Sequence, residues 1–394
     1  MRKIYKYLLI ALICLPTSCC FIVRPPKIIE EPQVAIAVLW NTDTIYVKSK
    51  NPITTTSQDK TVNIPANTTI SITDTQDNIL VLMNNKVVLT NASKITCENQ
   101  GEISVGSNPK TMLAYHRNIQ IKKGVMHRFP VSYDLTAINT LPIEEYLYGV
   151  VSCEIGEADE SEYQAIKAQA VCARSYTMSL LGVRNDFDLY GSYLYDQEYQ
   201  GSSREYPLVI KAVNETRGEI MQYKDAPILA QYHACCGGRT TAGRYPYLQS
   251  IIDAPYHSNH EKPYCKDSPY FEWNIKIPRD SFDSAILKLA GITYKFRFNP
   301  KLEINKKTKR AQYFKFKAEK EYKVSAESFR KALNLKSTFY SCKIKNDWVE
   351  INGHGWGHGI GLCQYGAMGM AQEKISYKNI LKHYYSKVKF VRMF

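Results

Sequence analysis

No internal repeat runs through these 394 residues, so the chain is not a repeat array. Beyond the first twenty residues no apolar run is long enough for a transmembrane helix. A disulfide-scaffold spacing is missing too. Cys14, Cys19 and Cys20 belong to the N-terminal segment, and Cys97, Cys153, Cys172, Cys235, Cys236, Cys265, Cys342 and Cys363 are scattered. A chain of this length does not need staples. There is no double-CxxC zinc pattern and no aromatic-basic module of the kinds that read nucleic acid.

What is present is a folded composition with an excess of positive charge. Hydrophobic residues make up 44% and charged residues 22%, which excludes disorder and allows a sizeable core. A net charge of +14 points to anionic partners, among them nucleic acid, acidic lipid or an acidic cell-wall polymer. Residues 1–20 narrow that choice. Arg2 and Lys3 precede the apolar run Tyr7 to Pro16, and small residues lead to Cys19. This is the layout of an export signal, cleaved simply or processed as a lipoprotein signal with a lipid anchor at Cys19. Export argues against nucleic acid and leaves membrane contact to that anchor alone. Residues 21–33, rich in proline and polar groups, read as a linker.

Punctuation and periodicity predict an α+β fold with two parts. From Val34 to residue 139, short alternating runs such as "TIYVKS", "NILVLM" and "KVVLT" read as strands of a β-rich domain. Residues 140–394 read as an α/β body with a substrate cleft. It opens with helical spacing over Leu141 to Leu181, where Ser161 and Gln164 form a candidate capping box. On the second helix Ile166, Ala170, Ala173 and Thr177 share a small, packable face, and Lys167 and Arg174 fall on another. At about 275–350 a basic β-hairpin and helix segment reads as a solvated face.

Cysteine and histidine cluster in "YHACCGGRT" (Tyr232 to Thr240) and "HSNHEKPYCKDSP" (His257 to Pro269). His233 and Cys236, three apart before a Gly-Gly turn, and Cys265 form a candidate structural zinc site, with His257 or His260 as fourth ligand. The alternatives are a Cys236–Cys265 disulfide or buried thiols.

Three segments together resemble the SpoIID/LytB family. They are "LPIEEYLYGVVSCEIGE" with "EYQAIKAQAVCARSYTM", then "YHACCGGRTT" with "YPYLQSIID", then "GHGWGHGIGLCQYGAMGMAQEKISYKNILKHYYSKVKF". Their order is the family's. "DQEYQG", "AVNETRGEIM" and "ALNLKST" resemble its connecting segments, so the likeness runs from about Val34 to the C-terminus. The resemblance implies action on peptidoglycan glycan strands, as a lytic transglycosylase or as an enhancer of a cell-wall amidase. It also implies that Glu154 is the catalytic acid, with Cys153 and Ile155 departing mildly from the family's pattern.

Chemistry asks for such a group independently. A carboxylic acid delivers a proton to a glycosidic oxygen near neutral pH only where a poorly solvated pocket raises its pKa, and Val150, Val151 and Ile155 flank Glu154. The alternative is an exposed helix residue like Glu157 and Glu160. Glycine occupies every second position from Gly353 to Gly361, a costly pattern to order, and it calls for close backbone approach. Trp356, His358, Gln364 and Tyr365 are read as a cleft wall for a sugar face, and Lys167 and Arg174 as cations for muramic carboxylates. The alternatives are a tight glycine corner, with His354 and His358 bonded to nearby backbone, and ordinary polar-face residues for the two cations.

Overall fold

The computed structural model of the protein describes residues 30–58, 60–75, 77–91, 93–125, 134–255 and 262–394. The expected signal with Cys19, most of the linker, and His257 and His260 lie outside these residues. Helices and strands are both abundant, and the fold is α+β.

The N-terminal part is made of two antiparallel-rich sheets. One runs, in spatial order, Leu189–Tyr190, Gln33–Thr42, Leu135–Pro142, Asn118–Lys122, Lys94–Glu98, Ile53–Thr56 and Thr61–Ile64. The other runs Leu113–His116, Glu102–Gly106, Thr44–Lys48, Ile70–Asp74, Ile79–Met83 and Lys86–Asn91. Alternation places Ile45, Val47, Ile70, Ile72, Ile79 and Val81 in one core, because successive side chains of a strand leave on opposite faces.

That core does not stop near residue 139. Strand Leu135–Pro142 passes directly into helix α1 (Ile143–Ile155), and Ile143, Leu147, Val150 and Val151 belong to the same apolar cluster as the strands. The expected boundary is a change of secondary structure within a shared interior. Helix α2 (Tyr163–Leu180) then runs between two cores. Ile166, Ala170 and Ala173 face the first, while Ala165, Ala168, Val171 and Cys172 face a second built on the C-terminal motifs. Alanine on both sides lets neighbouring elements approach closely. The cap before α2 differs from expectation: Asp159 accepts from Ser161 N at 2.7 Å, and Gln164 instead accepts from Tyr377 N at 3.0 Å. A carboxylate beside the turn Glu160–Glu162 outcompetes the Ser161 hydroxyl, which itself bonds to Asp159.

Helix α3 (Pro207–Glu215) packs on α1 and α2. Residues 272–354 form an insertion with its own aromatic core of Phe282, Phe314 and Phe329. It comprises two three-stranded sheets with helices α4 (Arg279–Leu289) and α5 (Ala326–Ala332). In its strand Ala311–Lys317, Phe314 and Phe316 point inward and Gln312 and Lys317 outward. The basic segment is thus a solvated face on a packed unit. Helices α6 (Gln364–Gln372) and α7 (Tyr377–Tyr384) return the chain to α2, and strand Lys389–Arg392 closes beside Glu219–Tyr223. Among the described residues no helix is long and apolar enough to cross a membrane.

Candidate active site

Glu154 sits in the last turn of α1, which ends at Gly156 with φ of 77°. The carbonyl end of a helix disfavours negative charge, while Glu144 and Glu145 occupy the favourable first turn. Glu154 is half-buried, whereas Glu157 and Glu160 are exposed. Its Oε1 accepts from the Glu198 backbone N–H at 3.0 Å, and its Oε2 accepts from Gln364 Nε2 at 3.3 Å. Burial pushes its pKa above the ordinary carboxylate range. The donors, Glu198 N–H, Gln364 and the Tyr232 hydroxyl, pull part of the way back, and the Glu198 charge adds to the rise.

A buried polar chain fixes Tyr232. Thr177 Oγ1 and the Tyr146 hydroxyl donate to Gln197 Oε1 at 2.8 and 3.4 Å, and Gln197 Nε2 donates to the Tyr232 hydroxyl at 2.9 Å. With its oxygen receiving that bond, the Tyr232 hydroxyl faces Glu154 and helps to favour its charged form. Tyr232, Gln197 and Glu198 were not among the residues singled out from the sequence. The only signal for them was the "DQEYQG" and "YHACCGG" segments to which they belong.

The glycine run packs against the protein itself. Cys235 exchanges backbone hydrogen bonds with Trp356 at 3.0 and 2.8 Å, and strand Tyr232–His233 pairs in parallel with Leu362–Cys363. A Cβ at Gly355 would lie 2.5 Å from Cys235 O, and one at Gly361 would lie 1.9 Å from Gln231 O. Both glycines have positive φ, 74° and 72°, so any other residue is excluded twice over. The close approach expected for a glycan is made instead by the "QYHACCGG" strand.

The expected cleft wall is brought together in part. Gln364 touches Glu154, and the next residue, Tyr365, lies 5.9 Å from Tyr270, whose ring meets Trp356 edge-on at 4.3 Å. Trp356 is 42% exposed, so its indole has a free face. Tyr270, with the Lys336 ammonium 5.3 Å over its ring, completes this aromatic row and was not foreseen.

His358 follows the alternative of a glycine corner bonded to nearby backbone. Its Nδ1 accepts from Ile360 N at 3.0 Å, and the Tyr232 backbone lies beside its ring. Burial holds its pKa down at about 4, so it is a neutral imidazole, with Nδ1 bonded to the backbone of its own loop.

Neither expected cation reaches this site. The Arg174 guanidinium is fully buried in a two-pronged pair with Glu144, both contacts at 2.7 Å, and it also donates to Glu219 O and Val213 O. It pins α2 to α1 and to the following strand, because a buried guanidinium must spend its donors on the protein. Lys167 pairs with Glu215 and lies over the rings of Tyr163 and Tyr377. Helical spacing put the two on one polar face, and α3 and α7 cover that face.

The expected metal ligands also separate. Cys236 and Cys265 meet, with sulfurs 3.5 Å apart, and the companions within 4.8 Å of them are Asp253 and Cys363. His233 stands apart: its Nδ1 faces Ile360 O at 3.2 Å, and its ring rests 5.5 Å from that of His358. His233 is on the two-residue strand paired with Leu362–Cys363, and a bend at Ala234 lies between it and Cys236. His257 and His260 lie outside the described residues. Elsewhere, a hollow of about 630 Å³ lined by His116, Arg117, Glu145, Tyr148 and Glu205 shares none of the Glu154 contacts.

The site thus holds one raised carboxyl, contacted through Gln364 by the segment that carries Tyr365, and it is assembled from three separated motifs. A family model described as Stage II sporulation protein matches residues 132–223. An uncharacterized protein of Brachyspira hyodysenteriae is 32% identical over 280 residues, covering 68% of this chain and 72% of that protein. Stage II sporulation protein D of Bacillus subtilis is 28% identical over 276 residues, 63% of this chain and 74% of that protein. The Amidase enhancer of Bacillus subtilis is 27% identical over 277 residues, 56% of this chain and 37% of that protein. The chain belongs to the SpoIID/LytB family.

Proposed function

We propose that this protein is an exported lytic transglycosylase that cleaves peptidoglycan between MurNAc and GlcNAc, leaving 1,6-anhydroMurNAc ends in cell-wall remodelling. The observation that carries this reading is Glu154, a carboxyl raised by burial and held at both oxygens, one of them by Gln364, whose chain neighbour Tyr365 belongs to the row with Tyr270 and Trp356. Oε1 receives a backbone donor that cannot turn round, so the transferable proton belongs on Oε2.

One group then serves twice. The Glu154 carboxylic acid protonates the glycosidic oxygen as the bond from MurNAc C1 breaks, and GlcNAc leaves with a free hydroxyl. The MurNAc C6 hydroxyl adds to C1 and gives its proton to the Glu154 carboxylate. No water is consumed and the acid is regenerated, so no second carboxylate is required. Trp356 offers a flat apolar face to a sugar ring.

A second reading, a glycan-binding enhancer of a wall amidase, draws on the similarity to the Amidase enhancer. It keeps the aromatic row and needs no acid. Mass spectrometry of purified wall incubated with the protein separates the two. Anhydro-ended fragments support the transglycosylase. Their absence, with faster digestion only when an amidase is added, supports the enhancer.

A further inference from the structure

Behind the glycine run, four ligand-bearing side chains converge from four segments of the chain. Cys236, Asp253, Cys265 and Cys363 place their ligand atoms within 4.8 Å of one another, and none is more than 1% exposed. Cys236 Sγ lies 3.5 Å from Cys265 Sγ and 3.2 Å from Asp253 Oδ2. Two sulfurs sharing a tetrahedral zinc with bonds of about 2.3 Å stand roughly 3.7 Å apart, whereas a disulfide requires about 2.05 Å.

The surroundings match those of a metal thiolate. Cys363 Sγ accepts from Cys236 N at 3.2 Å and Gly366 N at 3.3 Å. Asp253 turns Oδ2 toward the sulfurs while the Tyr384 hydroxyl donates to Oδ1 at 2.5 Å, the pattern of a one-oxygen ligand with an outer partner.

Arg310 supplies an independent observation. It enters from the insertion, is 4% exposed, and donates Nη2 to Cys236 O at 3.0 Å. Its Nε and Nη1 are buried without hydrogen-bond partners, and among the described residues no carboxylate pairs with it. A buried cation without a counter-charge is costly. Three thiolates and a carboxylate around a divalent ion carry a net charge of −2, which provides that counter-charge beside the guanidinium.

We propose that Cys236, Asp253, Cys265 and Cys363 bind one structural zinc ion. All four positions come from the protein in a closed, buried site, which leaves no place for a reactive water. Cys363 immediately precedes Gln364, and Cys236 lies four residues beyond Tyr232, so the ion locks together the two segments that hold Glu154. The inference does not depend on the reaction catalysed.

The test uses the full chain purified under reducing conditions, with zinc measured by elemental analysis and cobalt exchanged for zinc. About one equivalent of zinc is expected, with the near-ultraviolet thiolate-to-cobalt bands of a tetrahedral site. Cys363→Ser and Asp253→Asn are each expected to weaken zinc binding by at least about tenfold. His233→Ala is expected to retain the ion, and because it lies outside the ligand set it controls for general loss of fold. Less than about a tenth of an equivalent in the wild-type chain after incubation with zinc overturns the proposal. So does a Cys236–Cys265 disulfide found by peptide mapping, or zinc lost in His233→Ala but kept in Cys363→Ser.

Discussion

Gln364 donates its side-chain amide to Glu154 across 3.3 Å, joining residues 210 positions apart. Glu154 ends one helix and Gln364 begins another, so the bond ties the end of α1 to the start of α6. The residue before Gln364, Cys363, caps α6 by accepting from Gly366 N, which fixes where that amide starts from.

Replacing Glu154 by Gln is expected to abolish anhydro-ended products while glycan binding persists, because an amide cannot protonate the leaving oxygen. Burial raises the folded-state pKa above the unfolded value of about 4.5, so the folded protein holds a proton that the unfolded chain releases in that window. Stability therefore falls as pH rises through it, and Glu154→Gln should melt no lower than wild type at neutral pH. Calorimetry and product analysis check both points; undiminished product from the variant would remove Glu154 from the mechanism.

Trp356→Ala is expected to weaken glycan binding by about 1–3 kcal/mol and to leave the melting temperature nearly unchanged, since the indole is 42% exposed. Binding isotherms on soluble glycan read this directly. Unchanged affinity with a large fall in stability would show that the ring is structural.

Arg174→Met is expected to destabilise the fold by about 3–5 kcal/mol, because Glu144 would remain buried with its charge uncompensated. The double variant with Glu144→Gln should recover part of that loss. Denaturant titration of the two single variants and the double variant gives the coupling, and a zero coupling would contradict the buried pair.

Acid should destabilise the protein partly through His358. Its pKa is about 6.5 unfolded and about 4 folded, so between these values the unfolded chain binds more protons and each step down in pH favours unfolding. His358→Asn removes the titration, and its stability profile between pH 6.5 and 4 should be flatter than that of wild type. Identical slopes would show that His358 is not a buried neutral imidazole.

Several features were legible because they depend on near neighbours. The apolar flanks of Glu154 are on its own helix, and the small residues of α2 announce close packing at helical period. The capping box failed because a nearer carboxylate, Asp159, was available to compete. Lys167 and Arg174 were misplaced because helical period shows which residues share a face and is silent on what covers it.

The sequence by itself determined the alternation that builds the sheets, the presence of an acid between apolar residues, and the need for backbone crowding at the glycine run. Tertiary structure alone decided what meets them. Glu154 is tuned by Glu198, Tyr232 and Gln364, which lie 44, 78 and 210 residues away, and the glycines meet the Gln231–Gly237 stretch at Gly355, Gly357 and Gly361, Trp273 at Gly353 and Arg310 at Gly359. Only folding put Asp253 and Cys363 beside Cys236 and Cys265 and left His233 outside. The physical reason is the range of the forces involved. Backbone propensity and hydrophobic period act over a few residues, whereas desolvation and ligand geometry depend on groups that become neighbours only once the chain has closed.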